Sequence, residues 1–210
     1  MRSGPLAGLD EEALRPLLRR AVTKSYPKNA VIVSEGDTTD GLYVIVSGKV
    51  RIFLANENGK EVTLGVEGPG QYFGEMTLDG GPRSASVMTV EPSKFLVVPK
   101  ADLDTFLAAH PGFAMHVLRK LIRRVRILTD NVKSLALQDV YGRFTRLLHE
   151  LAVEQDGKLV VEKTTQQELA SRIGASREMV SLILKDLTRG GYLTIAGRTI
   201  VINKKLPMEW

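Results

Sequence analysis

The sequence predicts an α+β chain in three parts, and three observations predict it. From Lys24 to about Pro99, short β-rich runs alternate with turn signals, the texture of an antiparallel sandwich or barrel. A single long helical pattern follows, from about Pro111 to Leu137. After Asp139 come short amphipathic helices and a small hairpin, the plan of a winged helix-turn-helix.

Leu9 to Ala21 reads as a short helix with Asp10 as its N-cap. Strands are expected at 30–33, 41–46, 49–54, 61–66, 84–90 and 94–98. The turns between them are Glu35-Gly36-Asp37, Ser47-Gly48, Asn56-Glu57-Asn58-Gly59, Gly68-Pro69-Gly70 and Asp79-Gly80-Gly81-Pro82. Ala101 to Ala109 is helical and stops at His110-Pro111. Along the long helix Leu118, Leu121, Val125, Leu128, Val132 and Leu135 alternate spacings of three and four. That is the seam by which two helices pair; the alternative is that the stripe packs on its own sandwich. A second stripe, Phe113, Val117 and Ile122, is available for that packing, so the seam is assigned to a second copy of the chain.

The C-terminal part opens with an amphipathic helix from Asp139 to Val153, and residues 157–162 belong to a hairpin. Thr165-Gln166-Gln167-Glu168 is a capping box. Gly174-Ala175-Ser176 is a tight turn, with Ser176 capping a helix that buries Val180, Ile183, Leu184 and Leu187. Gly190-Gly191 ends it. Tyr192 to Ile195 and Thr199 to Ile202 form the wing around Ala196-Gly197-Arg198. The outward face of the second helix carries Arg177, Glu178, Ser181, Leu182 and Lys185. Arg can read guanine with two hydrogen bonds and Glu can accept from cytosine; a solvated face with an Arg–Glu pair uses the same residues.

The run Phe73-Gly74-Glu75-Met76 through Pro82-Arg83-Ser84-Ala85-Ser86-Val87 sets a carboxylate and a guanidinium on either side of a glycine-rich turn. A ribose phosphate needs both: the carboxylate accepts from a sugar hydroxyl, and the guanidinium forks onto phosphate oxygens. On residue types alone, a surface ion pair is the commoner explanation of the two charges. The order of residues goes further. It resembles the phosphate-binding cassette of cyclic-nucleotide-binding domains, in which the Glu holds the ribose 2′-hydroxyl and the Arg pairs with the cyclic phosphate. The resemblance therefore assigns Glu75 and Arg83 to the ligand, with Gly74, Met76, Ser84 and Ala85 around them. Gly36, Gly48 and Gly70 match the turns of that family's β-roll, a double-stranded β-helix or jelly roll.

The segment from Glu168-Leu169-Ala170 through Ile173-Gly174-Ala175-Ser176-Arg177-Glu178-Met179-Val180 to Leu184-Lys185 resembles the recognition motif of the CRP/FNR family of bacterial regulators. Gly197-Arg198-Thr199-Ile200-Val201 resembles its wing, and Leu135 to Arg143 its linker. The resemblance covers nearly the whole chain: a sensor domain at 1–110, a dimerisation helix at 111–137 and a winged helix-turn-helix at 138–210. It implies a dimeric transcription regulator of double-stranded DNA that works with RNA polymerase in the cytoplasm. It implies base contacts from Arg177 and Glu178 on the face shared with Ser176, Ser181 and Leu182, and phosphate contacts from Thr165, Gln167, Lys185 and Arg198. Many cyclic-AMP-responsive members carry a second base-reading Arg where this chain has Leu182, so a related but altered half-site is expected.

Cyclic AMP or cyclic GMP is the default effector, and cyclic di-GMP the alternative. In cyclic-AMP-binding members two adjacent hydroxyl residues on the dimer helix contact adenine. The aligned pair here is Leu128-Thr129, which keeps one hydroxyl and puts Leu128 on the seam. Arg119, Arg123, Arg124 and Arg126 suit a dianion bearing two guanines.

Composition closes off other classes. The 210 residues lack Cys, which excludes disulfides, thiolate metal sites and the cysteine-ligated cluster of some relatives. The net charge of +5 favours an anionic partner. No signal peptide or membrane-spanning run is present. No P-loop, metal-ligand cluster or nucleophile–base arrangement suggests an enzyme, and no covalent cofactor is expected. His110, His116 and His149 lack haem-ligand spacing. A nucleotide-binding module that docks on another protein is the remaining alternative, and the recognition helix argues against it.

Overall fold

The computed structural model describes residues 17, 19–38 and 41–207. The expected N-terminal helix and its Asp10 cap lie mostly outside them; Leu17 and Arg19 are helical. The strands are β1 (Val22–Tyr26), β2 (Val31–Val33), β3 (Leu42–Ser47), β4 (Val50–Ala55), β5 (Glu61–Glu67), β6 (Tyr72–Phe73), β7 (Ser86–Thr89) and β8 (Ser93–Val98). They form two four-stranded sheets, ordered β1-β8-β3-β6 and β2-β7-β4-β5. The resolved pairings are antiparallel, with Tyr43 opposite Val97 and Ile52 opposite Val87.

The core follows from the strand period of two. Val33, Tyr43, Ile45, Val50, Phe73, Val87 and Phe95 meet between the sheets. Leu42, Val44, Tyr72 and Val98 point to the other face, where helices cover them. β3 is therefore buried on both faces at Leu42–Ile45, which explains why it reads as a continuous apolar run. The helices on that face are α1 (Lys100–Ala109), through Leu103 and Phe106, and α2 (Pro111–Leu137), through Phe113 and Val117. Tyr72 and Phe95 are fully buried; burying a phenylalanine side chain contributes about 1.5–3 kcal/mol.

The stripes on α2 differ from the sequence expectation. Leu121 packs against the core that holds Phe113 and Val117, whereas Ile122 is 46% exposed. At 100° per residue, the exposed row is Met115, Leu118, Ile122, Val125 and Val132, with the exposed Thr129 between the last two. Leu128 is half-buried and lies off that row. Ile122 is thus exposed where packing on the sandwich was expected, and Leu121 packs on the core instead of lying on the exposed row.

The C-terminal part comprises α3 (Val140–Leu151), β9 (Val153–Gln155), β10 (Lys158–Val161), α4 (Gln166–Ile173), α5 (Arg177–Arg189), β11 (Leu193–Ala196) and β12 (Thr199–Ile202). Asp139 caps α3 by accepting from Gly142 N at 2.7 Å. Val153 falls in β9, not in the helix. The sheet order is β11-β12-β10-β9. Its core gathers Tyr141, Phe144 and Leu148 of α3, Leu169 and Ile173 of α4, and Val180, Ile183, Leu184 and Leu187 of α5. The chain divides into two compact units within α2, between Arg126 and Ile127, with Ala55–Val62 assigned to the second. No described helix is long and apolar enough to cross a membrane.

Candidate functional site

β6 delivers the chain directly into the cassette. Gly74 sits at φ 89° and ψ 10°, a left-handed conformation that favours glycine. A Cβ there would stand 2.6 Å from the Gly41 carbonyl oxygen and 2.7 Å from Arg83 Nη1. Only hydrogen fits, so the glycine is required by space as well as by angle. A 3-10 helix, Glu75–Asp79, leads into the expected turn at Asp79-Gly80-Gly81-Pro82 and is closed by the Gly80 N–H donating to Thr77 O at 3.0 Å. Glu75 opens it and is half-buried, Thr77 is buried, and Met76 is 46% exposed.

Arg83 is 6% exposed, which a surface ion pair does not explain. A buried guanidinium must have its donors satisfied. Nη1 donates to Gly74 O at 3.2 Å and Nη2 to Gly41 O at 3.0 Å, and the guanidinium carbon lies 5.9 Å from the centroid of Tyr43. The backbone of Arg83 is pinned as well: its N–H donates to Asp37 O, and its carbonyl accepts from Gly36 N, both at 2.8 Å. Sequence reasoning named Arg83 but missed Gly41, whose carbonyl comes from a residue 42 positions earlier. Ser84 is exposed and Ala85 half-buried.

α2 brings cations to the same side of the roll. Lys120 Nζ donates to the Tyr72 carbonyl and lies 3.8 Å from the centroid of the Tyr72 ring. Burial lowers the Lys120 pKa, opposed by the nearby Glu75 and Glu67 carboxylates. Burial raises the Glu67 pKa, opposed by Lys120 and Arg124. His116 is held below its usual value by burial first and then by Arg123, Lys120 and Arg119. Burial raises the Tyr72 and Tyr43 phenols.

The second constellation lies in the C-terminal unit. Thr165 caps α4: its Oγ1 accepts from Glu168 N at 3.2 Å, and the Glu168 carboxylate accepts from Thr165 N at 2.7 Å. The Thr165 hydroxyl also donates to Glu168 Oε2 at 3.0 Å, so any phosphate contact from that proton requires it to leave Glu168. Gly174 is left-handed and Ser176 caps α5 by accepting from Met179 N at 3.2 Å. With Val180, Ile183, Leu184 and Leu187 facing the core, Arg177, Glu178, Ser181, Leu182 and Lys185 share the opposite, exposed face. Leu182 is 47% exposed, a large apolar side chain on an otherwise polar surface. Gln167 and Ser176 are exposed, as is Arg198 at the wing turn beside Gly197 at φ 61°.

Arg143 is a positioning residue that sequence reasoning quoted only as part of a motif. Its Nε donates to Ile173 O at 2.8 Å and its Nη1 to Gln138 O at 2.7 Å. One side chain thus fixes the end of α4, just before the Gly174 turn, to the segment between α2 and α3. Its signal was its place four residues after the Asp139 cap, in the first turn of α3.

A jelly roll with a buried arginine under a glycine-gated turn, followed by a winged helix that presents Arg177 and Glu178, defines a class: small-ligand sensors fused to DNA readers. Residues 23–110 match the cyclic nucleotide-binding domain family, and residues 142–205 the Crp-like helix-turn-helix domain family. The chain is 32% identical over 208 residues to the CRP-like cAMP-activated global transcriptional regulator of Mycobacterium tuberculosis, covering 96% of this chain and 93% of the relative. It is also 32% identical over 211 residues to the cyclic AMP receptor protein of Thermus thermophilus, covering 100% and 97%. Among solved structures it is similar to the c-di-GMP responsive global regulator CLP of Xanthomonas campestris, with TM-score 0.83 and 27% identity over 93% of this chain and 100% of that one. The chain belongs to the CRP/FNR family of transcription regulators, a non-enzymatic family whose members bind DNA.

Proposed function

We propose that this regulator responds to a cyclic nucleotide, cyclic AMP or cyclic GMP, held through Glu75 and Arg83. The observation that carries the reading is Arg83: a buried cation aimed at the backbone of a glycine-gated turn. Its two bonds to carbonyl oxygens would be exchanged for stronger ones to phosphate oxygens when ligand enters. Gly74, Met76, Ser84 and Ala85 would line the phosphate side, and Thr129 would supply the one hydroxyl left to the base, Leu128 having lost the other. The roll at 1–110 would be the sensor, α2 at 111–137 the dimerisation element and 138–210 the DNA reader.

The dimer would form along the exposed row of α2, Met115, Leu118, Ile122, Val125 and Val132. Two recognition helices would then enter successive major grooves about 34 Å apart. Arg177 and Glu178 would read bases beside Ser176, Ser181 and Leu182, while Thr165, Gln167, Lys185 and Arg198 hold phosphates. Relatives named as global transcriptional regulators support a cytoplasmic role with RNA polymerase. Ligand would act by favouring the DNA-competent arrangement.

A second effector, cyclic di-GMP, is favoured by one observation: the similar Xanthomonas regulator is described as responsive to it, and its fold covers nearly all of this chain. Calorimetric titration with cyclic AMP, cyclic GMP and cyclic di-GMP in one buffer tests both readings. Binding by one of them, weakened about tenfold or more by Arg83→Ala, supports the cassette; two charged hydrogen bonds justify that size. Unchanged affinity in Arg83→Ala removes Arg83 from the site.

A further inference from the structure

The face of α2 that meets the roll changes chemistry halfway along. Phe113, Val117, Lys120 and Arg124 follow at spacings of four, three and four, so they share one side of the helix. The first two are buried in the apolar core beside Tyr72. The next two are cations. Lys120 donates to the Tyr72 carbonyl, and the Arg124 guanidinium lies so close to Gly65 of β5 that a Cβ there would stand 2.7 Å from its Nη1. The first half is an apolar anchor without directional bonds. The second is a polar contact made at single atoms.

Lys120 is the informative member. Its stem and ammonium cover the Tyr72 ring, and its bonded carbonyl lies two residues before Gly74 and three before Glu75. Glu75 and Glu67 both act on its charge, and among the described residues neither forms an ion pair with it. Arg83 holds the same short stretch from the other end, at Gly74 O. The entry to the cassette is therefore pinned twice by cations, once from the roll and once from α2. A helix movement that draws Lys120 away pulls on β6, the strand that leads into Glu75.

We propose that Lys120 is a positioning residue that ties the cassette to α2, so that the helix and the entry to the cassette move together. The tether rests on the Lys120 contacts alone; its use in signalling rests on the cyclic-nucleotide reading above.

Hydrogen exchange on the full chain tests it with Lys120→Met, which keeps the stem on Tyr72 and removes the donor, and Lys120→Arg, which restores a cation. In ligand-free Lys120→Met, amides closing the 3-10 turn, Thr77 and Gly80, should exchange about three- to tenfold faster. Residues 118–126 should do the same, with α3–α5 unchanged, and Lys120→Arg should return toward the parent rates. A general loss of packing would instead lower the melting temperature and speed exchange throughout the roll. Cassette exchange equal to the parent in Lys120→Met overturns the proposal. A parallel arm with saturating cyclic AMP decides the other matter: if cyclic AMP protects no cassette amide in the parent, it is not the effector, while the ligand-free comparison still decides the tether.

Discussion

At the residue scale, Gly74 and Arg83 are one device. The left-handed glycine brings its carbonyl to the guanidinium, and the absent Cβ is the space that Gly41 O and Arg83 Nη1 occupy. Gly74→Ala should therefore cost stability, about 1–3 kcal/mol for the forced backbone conformation, and also displace Arg83. Denaturant melts and calorimetry together check this: both the midpoint and nucleotide affinity should fall. A stable Gly74→Ala that binds normally would mean that the cassette does not depend on this approach. The pair was half legible in sequence. The charges and glycines stood in order, but residue types could not separate a surface ion pair from a buried guanidinium. That distinction depends on Gly41, which only the sheet pairing brings near.

His116 gives a pH prediction at the same scale. Burial and the cations Arg123, Lys120 and Arg119 hold its pKa below the ordinary 6.5, and its Nε2 is buried without a hydrogen-bond partner. In the unfolded chain the imidazole takes its proton as pH falls through about 6.5; the folded chain resists until lower pH. The unfolded state binds more protons in that window, so His116 makes stability fall as pH drops from about 7.5 toward the folded value. Thermal melts across that range should show a shallower decline in His116→Gln than in the parent. Equal slopes would remove His116 from the acid response.

At the element scale, strong periodicity and capping chemistry were readable where local sequence decides. The Thr165 capping box, the Ser176 cap, the Gly174 turn and the span of α2 all depend on neighbours within four residues. β1 and β6 were not singled out, because Val22–Tyr26 is largely exposed and Tyr72–Phe73 is only two residues long. Their strand identity comes from long-range pairing. The exposed row of α2 differs from the expected seam for a related reason. Rows 118-121-125-128 and 118-122-125-129 satisfy the same spacing, and what separates them is the roll, which takes Leu121 and leaves Ile122 exposed. Ile122→Glu should therefore shift the chain from dimer to monomer in light scattering, while Leu121→Glu should unfold the roll first. A dimeric, folded Ile122→Glu would place the interface elsewhere.

At the scale of the whole molecule, the chain joins a sensing roll to a DNA reader through one continuous helix. Family membership fixes that general role, and the order of motifs made it legible from sequence. Effector identity was not legible, because Leu128-Thr129 keeps only one of the two adjacent hydroxyls that the resemblance leads one to expect. Leu182 poses the same problem for DNA: leucine can pack on a thymine methyl but cannot donate to guanine, so if Leu182 faces a base pair as proposed, discrimination there should change by about 1–3 kcal/mol. The central claim is that ligand in the cassette alters sequence-specific DNA binding. Its most direct test is the affinity of the full chain for a duplex selected from a random pool, measured by fluorescence anisotropy at fixed salt with each of the three cyclic nucleotides in turn. The account predicts selection of a palindrome and a change in Kd of about fivefold or more with one nucleotide, a usual coupling size. That change should disappear in Arg83→Ala, and the binding itself in Arg177→Ala. Palindrome binding that none of the three alters, or an effect that persists in Arg83→Ala, would contradict it.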